Sequence, residues 1–159
     1  WAETPAFAVL DGDQKGKTKL ANKTMVLPGG ASPEKLLIEY GKAIQADVPS
    51  YWDSRPMSLE GYSYATFEKF VIDYINQKKR DATDKKPREI YKEAWKNFER
   101  GFQMLARAWV ADPRNRSEVI AFFNDLEKMI MRNSSLIGLA SSTWRFDPSL
   151  LDQLKPADD

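Results

Sequence analysis

The segment from 87 to 111 carries large apolar side chains at spacings of four, three, four, three and four residues. These spacings place them on one stripe of an α-helix. The members of the stripe are Tyr91, Trp95, Phe98, Phe102, Leu105 and Trp109. Most are aromatic, and each contributes about 1.5–3 kcal/mol when it is fully buried. The sequence therefore predicts one long helix, begun by Pro87 and ended by Asp112-Pro113, whose stripe is the centre of the core.

Three further segments have the apolar periodicity and the boundary residues of amphipathic helices. Their predicted spans are 33–48, 63–80 and 113–132. Two of them begin with a proline that follows a serine or an aspartate able to cap the first turn. Because most of the connecting links are short, consecutive helices are expected to lie antiparallel. The predicted fold class is all-α, a four-helix bundle.

The two ends of the chain differ from this helical region. Residues 1–32 are rich in glycine and proline and have no helical period, which predicts an extended arm laid over the bundle or over a neighbour, although short strands at 7–10 and 24–27 are an alternative. The bundle domain is expected to cover 33–154. It ends in a short helix that starts at Asp147-Pro148, and 155–159 is expected to be a frayed tail.

The composition excludes several classes of function. The chain has 159 residues, a net charge of +1, no cysteine and no histidine. Thiol nucleophiles, zinc–thiolate sites, imidazole metal ligands and Ser-His-Asp triads are therefore absent. No pattern forces two helical carboxylates into a shared pocket, as acid–base catalysis requires. We expect a protein that is not an enzyme, with no cofactor, no metal and no catalytic residues.

Two motifs in the N-terminal segment resemble ligand loops. The stretch from Gly12 to Thr18 resembles a phosphate-binding loop, but it is one residue short between the glycines and no helix is predicted after it. Asp11 and Asp13 resemble the start of a calcium loop, but Lys15 occupies a ligand position and its ammonium repels the ion. Both motifs are interpreted as a solvated turn.

The loop from 48 to 61 is the candidate site for binding a protein partner. It contains Tyr51, Trp52, Arg55 and Met57, which belong to residue types enriched at the centres of protein interfaces. Two prolines stiffen the loop and lower the entropy lost on docking. The alternative is that Trp52 and Met57 fold back and cap one end of the bundle.

A row of basic residues supports a second hypothesis, the binding of RNA or DNA. The row follows the predicted third helix and continues into the next turn, and its members are Lys92, Lys96, Arg100, Arg107, Arg114 and Arg116. A phosphate backbone could lie along such a track. Glutamates are interspersed on the same helix face, however, which favours a solvated, internally paired surface.

The leading hypothesis is a non-enzymatic accessory or structural subunit that docks onto other proteins. An extended arm followed by a four-helix bundle also resembles, in layout, the extrinsic lumenal bundle subunits of photosystem II, which implies a place in a photosynthetic or other organellar membrane complex. No apolar run reaches the ~18 residues of a membrane span. A chain that begins at Trp1 is either a trimmed precursor or a sequence without its natural ends. Trimming would place the protein in an organelle or outside the cytosol, which is favoured over the cytoplasm.

Overall fold

The structure, a computed structural model, is mostly helical and includes a small two-stranded sheet. It describes residues 7–14, 16–19, 23–53, 61–81, 85–132 and 145–154. Within these ranges the strands are β1 (Ala8–Leu10) and β2 (Thr24–Val26). The α-helices are α1 (Pro33–Asp47), α2 (Tyr64–Phe67), α3 (Tyr74–Arg80), α4 (Pro87–Asn97), α5 (Glu99–Ala111) and α6 (Arg116–Arg132).

The elements divide into two compact units. The first comprises Trp1–Pro33 and Val110–Gln153, and the second comprises Glu34–Trp109 and Leu154–Asp159. Helices lie where the sequence predicts them, but α6 belongs to the first unit and α2, α3 and α4 belong to the second. A four-helix bundle is therefore not established by this architecture.

Aromatic side chains form the core of the second unit. Phe67 is fully buried, and its ring lies 5.0 Å from that of Trp52 and 5.7 Å from that of Phe98. Gly41 of α1 lets this core come close to the helix backbone, since a Cβ there would lie 2.8 Å from the Phe67 ring. The centre of the core is thus assembled from the 3-10 turn Pro49–Asp53 as well as from the helices.

The long helix expected over 87–111 is interrupted at Phe98. This residue has φ −142° and ψ 33°, and it separates α4 from α5. The break divides the predicted stripe: Phe98, Phe102, Leu105 and Trp109 are buried, while Tyr91 and Trp95 are only partly covered. In α4 the buried positions are instead Ile90 and Ala94. The prediction of a single stripe was therefore wrong for its N-terminal third.

Gly101 explains why the chain can break at Phe98. The Phe98 ring occupies the space in which a side chain at position 101 would begin, and a Cβ there would lie 2.0 Å from Phe98 Cε1. Such a separation is far inside van der Waals contact. Only glycine at position 101 therefore allows the buried ring to lie against α5.

Substitution of Gly101 by alanine tests this explanation. Alanine is the better helix former by about 1 kcal/mol, but displacing a buried aromatic ring costs about 1–3 kcal/mol. We expect Gly101→Ala to lower the free energy of unfolding measured in urea, whereas the exposed Gln103→Ala on the same helix leaves it nearly unchanged. A Gly101→Ala protein more stable than the parent would contradict the explanation.

A short parallel sheet and α6 organise the first unit. Ala8, Val9 and Leu10 pair in register with Thr24, Met25 and Val26. Beyond β2, the backbone N–H of Gly29 donates a 2.7 Å hydrogen bond to Glu118 Oε1 on α6. The Met25 side chain is almost fully buried. The described part of the segment expected to be an extended arm thus contains paired strands and a core residue.

The C-terminal segment of the first unit lies along α6. It reaches Gln153 in the 3-10 helix Pro148–Leu154, at the place where the sequence predicts a short helix. The Phe146 ring stacks on that of Phe123 at 4.4 Å, and the Phe146 N–H donates to Glu127 Oε2. Arg116 donates to Asp152 Oδ1 at 2.9 Å. Ring stacking and charge pairing therefore both hold this segment on the helix.

Candidate functional site

The described part of the 48–61 loop packs into the second unit. Trp52 is 2% exposed, and its ring lies against those of Phe67 and Tyr64. Val48, by contrast, is half exposed. Arg55 and Met57 lie outside the described residues. A partner-binding role for these positions stays a prediction. The burial of Trp52 agrees with the alternative, in which this side chain folds back onto the helices.

Tyr51 has a similar environment. Its hydroxyl donates a 3.3 Å hydrogen bond to the backbone oxygen of Met104 on α5. Burial raises the pKa of Tyr51 to about 12, because ionisation would place a charge away from water. The contact joins the loop to α5 within the second unit. Tyr51 therefore packs within the second unit, and its hydroxyl makes one hydrogen bond there.

The basic row is divided by the break at Phe98. Lys92 and Lys96 lie on α4, whereas Arg100 and Arg107 lie on α5, and all four are exposed. A row on one straight helix would present its charges at regular intervals along a phosphate backbone. The break interrupts that regularity, because the backbone at Phe98 leaves the helical conformation.

The two arginines at the end of the row are engaged with carboxylates. Arg114 donates to both oxygens of Asp112, with the closest contact at 2.7 Å. Arg116 donates to Asp152 and to the backbone oxygen of Pro148. Binding a phosphate backbone would require these contacts to be exchanged. Nucleic-acid binding through this row stays a prediction.

Glu93 is the centre of a polar cluster in the second unit. The Lys85 ammonium and the Tyr74 hydroxyl both donate to its carboxylate. The hydrogen bond from Lys85, followed by that from Tyr74, lowers the pKa of Glu93. The same carboxylate raises the pKa of Lys85 and of Tyr74. The cluster links α3 to α4. It also holds Lys85, which lies two residues before α4, against that helix.

The cluster predicts a pH dependence of stability. A carboxyl group whose pKa is lower in the folded state stabilises the fold above its unfolded pKa, and this contribution is lost as the pH falls through the folded value. We expect the melting temperature of the parent to fall below about pH 4.5, and that of Glu93→Gln to fall less steeply. Thermal melts from about pH 3 to pH 7 measure both slopes. The exposed Glu99→Gln is the control, and equal slopes for parent and Glu93→Gln would refute the assignment.

Among the described residues, neither ligand-loop motif has the local geometry that a phosphate or a calcium site needs. The stretch from Gly12 to Thr18 follows β1 and leads to Lys19, which pairs with Thr24 by an isolated bridge. In the part of the chain that the structure describes, the next helix is α1, which begins only at Pro33, so no helix N-terminus directly follows this stretch to face a phosphate. Among the described residues, no group of histidine, cysteine, aspartate or glutamate side chains could hold a metal ion.

The outer edge of β1 presents backbone hydrogen-bonding groups that no motif in the sequence predicts. Ala8 N donates to Lys23 O and Leu27 N donates to Leu10 O, so residues 8 and 10 face β2. The N–H and C=O of Val9 consequently point away from β2. No strand pairs with this edge among the described residues. Val9 is also 49% exposed, although its register partner Met25 is buried.

Phe70 is a second exposed apolar residue that the sequence pattern did not distinguish. Its spacing from Phe67 and Tyr74 places it on the apolar face of the predicted second helix, yet it is 44% exposed. The helix is π-helical over Glu68–Asp73. The wider turn keeps Phe67, Val71 and Ile75 in the core and leaves Phe70 outside it. Only the hydrogen-bonding pattern of the backbone could reveal this displacement.

Comparisons with known proteins identify no relative of this chain. No protein-family model, no curated protein and no solved structure matches the chain. Of the helices among the described residues, none combines the length and the apolar character needed to cross a bilayer.

Proposed function

We propose that this protein is a non-enzymatic accessory or structural subunit, and that it docks onto another protein through the outer edge of β1. The carrying observation is the outward-facing backbone of Val9 beside its half-exposed side chain. An exposed edge offers hydrogen-bonding groups at strand spacing, and partner proteins use such edges by adding a strand.

The size of the sheet supports this proposal. A sheet of two strands is marginal on its own, and parallel strands usually occur where both faces are covered. Val9 shares a face with the buried Met25, because paired residues in register project to the same side. A third strand beside β1 would cover the Val9 side chain and bind its N–H and C=O.

Proline substitution at Val9 tests the edge. Val9→Pro removes the outward N–H and leaves the donors and acceptors of residues 8 and 10 in place. Val9→Thr, which keeps the N–H and suits a strand, is the matched control. We expect full-length Val9→Pro to lose capture of the protein that assembles with the parent in its native extract, while Val9→Thr retains it and both variants melt close to the parent. Quantitative mass spectrometry of the captured material makes the comparison, and equal capture by both variants would refute the edge.

Hydrogen exchange provides the second measurement. The Val9 amide is expected to exchange rapidly in the isolated protein and slowly once the captured partner is bound. The Leu10 amide, which faces β2, serves as the internal reference. An unchanged Val9 exchange rate in a complex of confirmed stoichiometry would place the docking surface elsewhere.

Two further parts of the sequence-based hypothesis, the fold and the cellular setting, are proposals that do not involve the edge of β1. The four-helix bundle is supported by amphipathic helices at all four predicted positions, and contacts between those helices measured by nuclear Overhauser effects would test it. A role at a photosynthetic or other organellar membrane complex rests on layout alone.

Nucleic-acid binding has less support as the alternative function. At least two of its six basic residues are paired with carboxylates, and the others are divided between two helices. A titration against a generic oligonucleotide decides this point. Micromolar affinity that falls steeply with salt concentration would favour nucleic acid over protein docking.

A further inference from the structure

The outer edge of β1 carries a backbone donor and a backbone acceptor two residues apart. The Val9 N–H points away from β2, because residues 8 and 10 face that strand. The Phe7 C=O points the same way, since it shares a trans peptide with the Ala8 N–H, which donates to Lys23 O. The edge therefore presents both kinds of hydrogen-bonding group to a strand placed beside it.

A two-fold axis through Ala8 would bring this donor and this acceptor onto their counterparts in a second copy. The two β1 strands then run antiparallel, with Phe7 opposite Val9 of the second copy and Ala8 opposite its own counterpart. Each Val9 N–H reaches the Phe7 C=O of the other strand, so one symmetric contact makes two hydrogen bonds. Closed homodimers use a single self-complementary surface in this way.

The side chains suit this register. Antiparallel strands alternate between a wider hydrogen-bonded pair and a closer pair with Cα atoms about 4.5 Å apart. Ala8 occupies the closer position, and its side chain is exposed and small enough for two copies to meet. Phe7 faces Val9 of the second copy, and an aromatic residue opposite a β-branched one is a favourable cross-strand pair. Val9 is 49% exposed in the single chain, so the contact removes apolar surface from water.

The neighbouring antiparallel register fits less well. A two-fold axis through Val9 would place the Phe7 ring opposite the Asp11 side chain of the second copy. The Asp11 C=O is also engaged already, because it accepts from the Gln14 N–H within its own turn. The axis through Ala8 avoids both conflicts.

The sequence of the edge lacks the features that usually prevent self-pairing. Monomeric proteins commonly protect an exposed edge with a charged side chain, a proline or a bulge. Residues 7–10 include no proline and no charged residue, and β1 pairs with β2 in consecutive register. The net charge of +1 leaves little repulsion between two copies. Two copies of this chain can therefore approach each other edge to edge.

We propose that a second copy of this chain covers the edge in the isolated protein, through antiparallel pairing of the two β1 strands about a two-fold axis at Ala8. The pairing creates a four-stranded sheet in the order β2-β1-β1-β2, in place of the marginal two-stranded sheet of one chain. The inference rests on the proposed function, because it uses the same edge and names what occupies it before a different protein does. Docking then exchanges the second copy for a strand of that protein.

Charge exchange at position 8 tests the axis. Ala8→Lys and Ala8→Glu each bring like charges together across it, and like charges directly opposite destabilise a strand pair. By sedimentation velocity we expect the full-length parent to show a reversible monomer–dimer equilibrium with a dissociation constant of about 10–500 μM. Each charged variant alone is expected to stay monomeric up to about 1 mM, and an equimolar mixture of the two to regain the dimer. The matched control Ala8→Thr, which is neutral and suits a strand, is expected to dimerise like the parent.

Two measurements on the parent need no substitution. In a mixture of isotope-labelled and unlabelled chains we expect a nuclear Overhauser effect between the Ala8 Hα atoms of the two copies, because these residues form the closer pair. The Val9 amide is expected to exchange rapidly in dilute solution and more slowly as the protein concentration rises. The Leu10 amide faces β2, so its exchange should not depend on concentration.

Several results would overturn the self-pairing. A parent that stays monomeric up to about 1 mM would exclude it. A dimer that persists in both charged variants and in Val9→Pro would lie on another surface. Absence of association between the two charged variants, each with the circular dichroism spectrum of the parent, would exclude the axis at Ala8, as would absence of the Ala8 Overhauser effect in a dimeric parent.

These outcomes are separable from those of the proposed function. If the parent does not self-associate but Val9→Pro loses capture from the native extract, the edge binds a different protein and only the self-pairing is wrong. If the dimer forms as expected but capture is equal for Val9→Pro and Val9→Thr, the edge serves self-pairing and the proposed docking is wrong.

Discussion

Replacement of Trp52 by alanine is expected to lower the free energy of unfolding by about 3–5 kcal/mol, the cost of emptying a buried tryptophan site. Its ring contacts those of Tyr51, Tyr64 and Phe67, so the cavity would open in the centre of the second unit. For a chain of this length the melting temperature should fall by roughly 6–20 °C. Chemical denaturation and thermal melting followed by circular dichroism measure the two quantities.

Two control variants sharpen this experiment. Val48→Ala alters an exposed side chain in the same loop and should change stability by no more than about 0.5 kcal/mol. Trp52→Phe keeps an aromatic ring and removes an indole N–H that has no hydrogen-bond partner among the described residues. It should therefore be milder than alanine. If Trp52→Ala melted within about 2 °C of the parent, the loop would be a docking surface and its packing in the structure would be wrong.

Phe102→Ala is expected to be as damaging, again by about 3–5 kcal/mol. Phe102 is fully buried, and its ring is stacked on that of Trp95 with centroids 4.6 Å apart and an interplanar angle of 3°. It also makes edge contacts with Phe67 and Phe98. Truncation removes all three contacts at once, and partial relaxation of the surrounding rings cannot recover them.

The matched control for this variant is Phe70→Ala. It removes the same side chain from the exposed π-helical turn, where burial is about half. We expect its effect on the free energy of unfolding to be under about 1 kcal/mol. Comparable losses for the two phenylalanines would mean that Phe70, too, is packed in the folded protein, and the exposed position given to it by the π-helical turn would be wrong.

Local signals in the sequence were sufficient to place the helices. The residues before Pro49 are driven out of the α region, and α1 ends at Asp47. Ser63 caps the next helix through a reciprocal pair of hydrogen bonds with Thr66. Asp112 accepts from the Arg114 N–H before α6. Each of these contacts joins residues at most three apart, so propensity and capping alone determine them.

The candidate docking edge could be predicted only in part. Short strands were one interpretation of residues 7–10 and 24–27, because both stretches contain β-branched and apolar residues. Their parallel pairing joins residues that are 16 apart, and their register decides which backbone groups of Val9 point outward. A one-residue change of register would reverse that orientation, and no local preference selects between the two.

The sequence by itself determined which segments are helical and the aromatic composition of the core, since these depend on periodicity, caps and the burial of large rings. Tertiary contact decided the rest. The Phe98 ring packs against Gly101 at the point where the long helix is divided. The π-helical turn leaves Phe70 exposed, and contact with Phe67 places Trp52 in the core. Pairing of Arg116 with Asp152, 36 residues further along the chain, decided what that charge binds. These outcomes depend on which side chains meet in space, and apolar spacing along the chain does not contain that information.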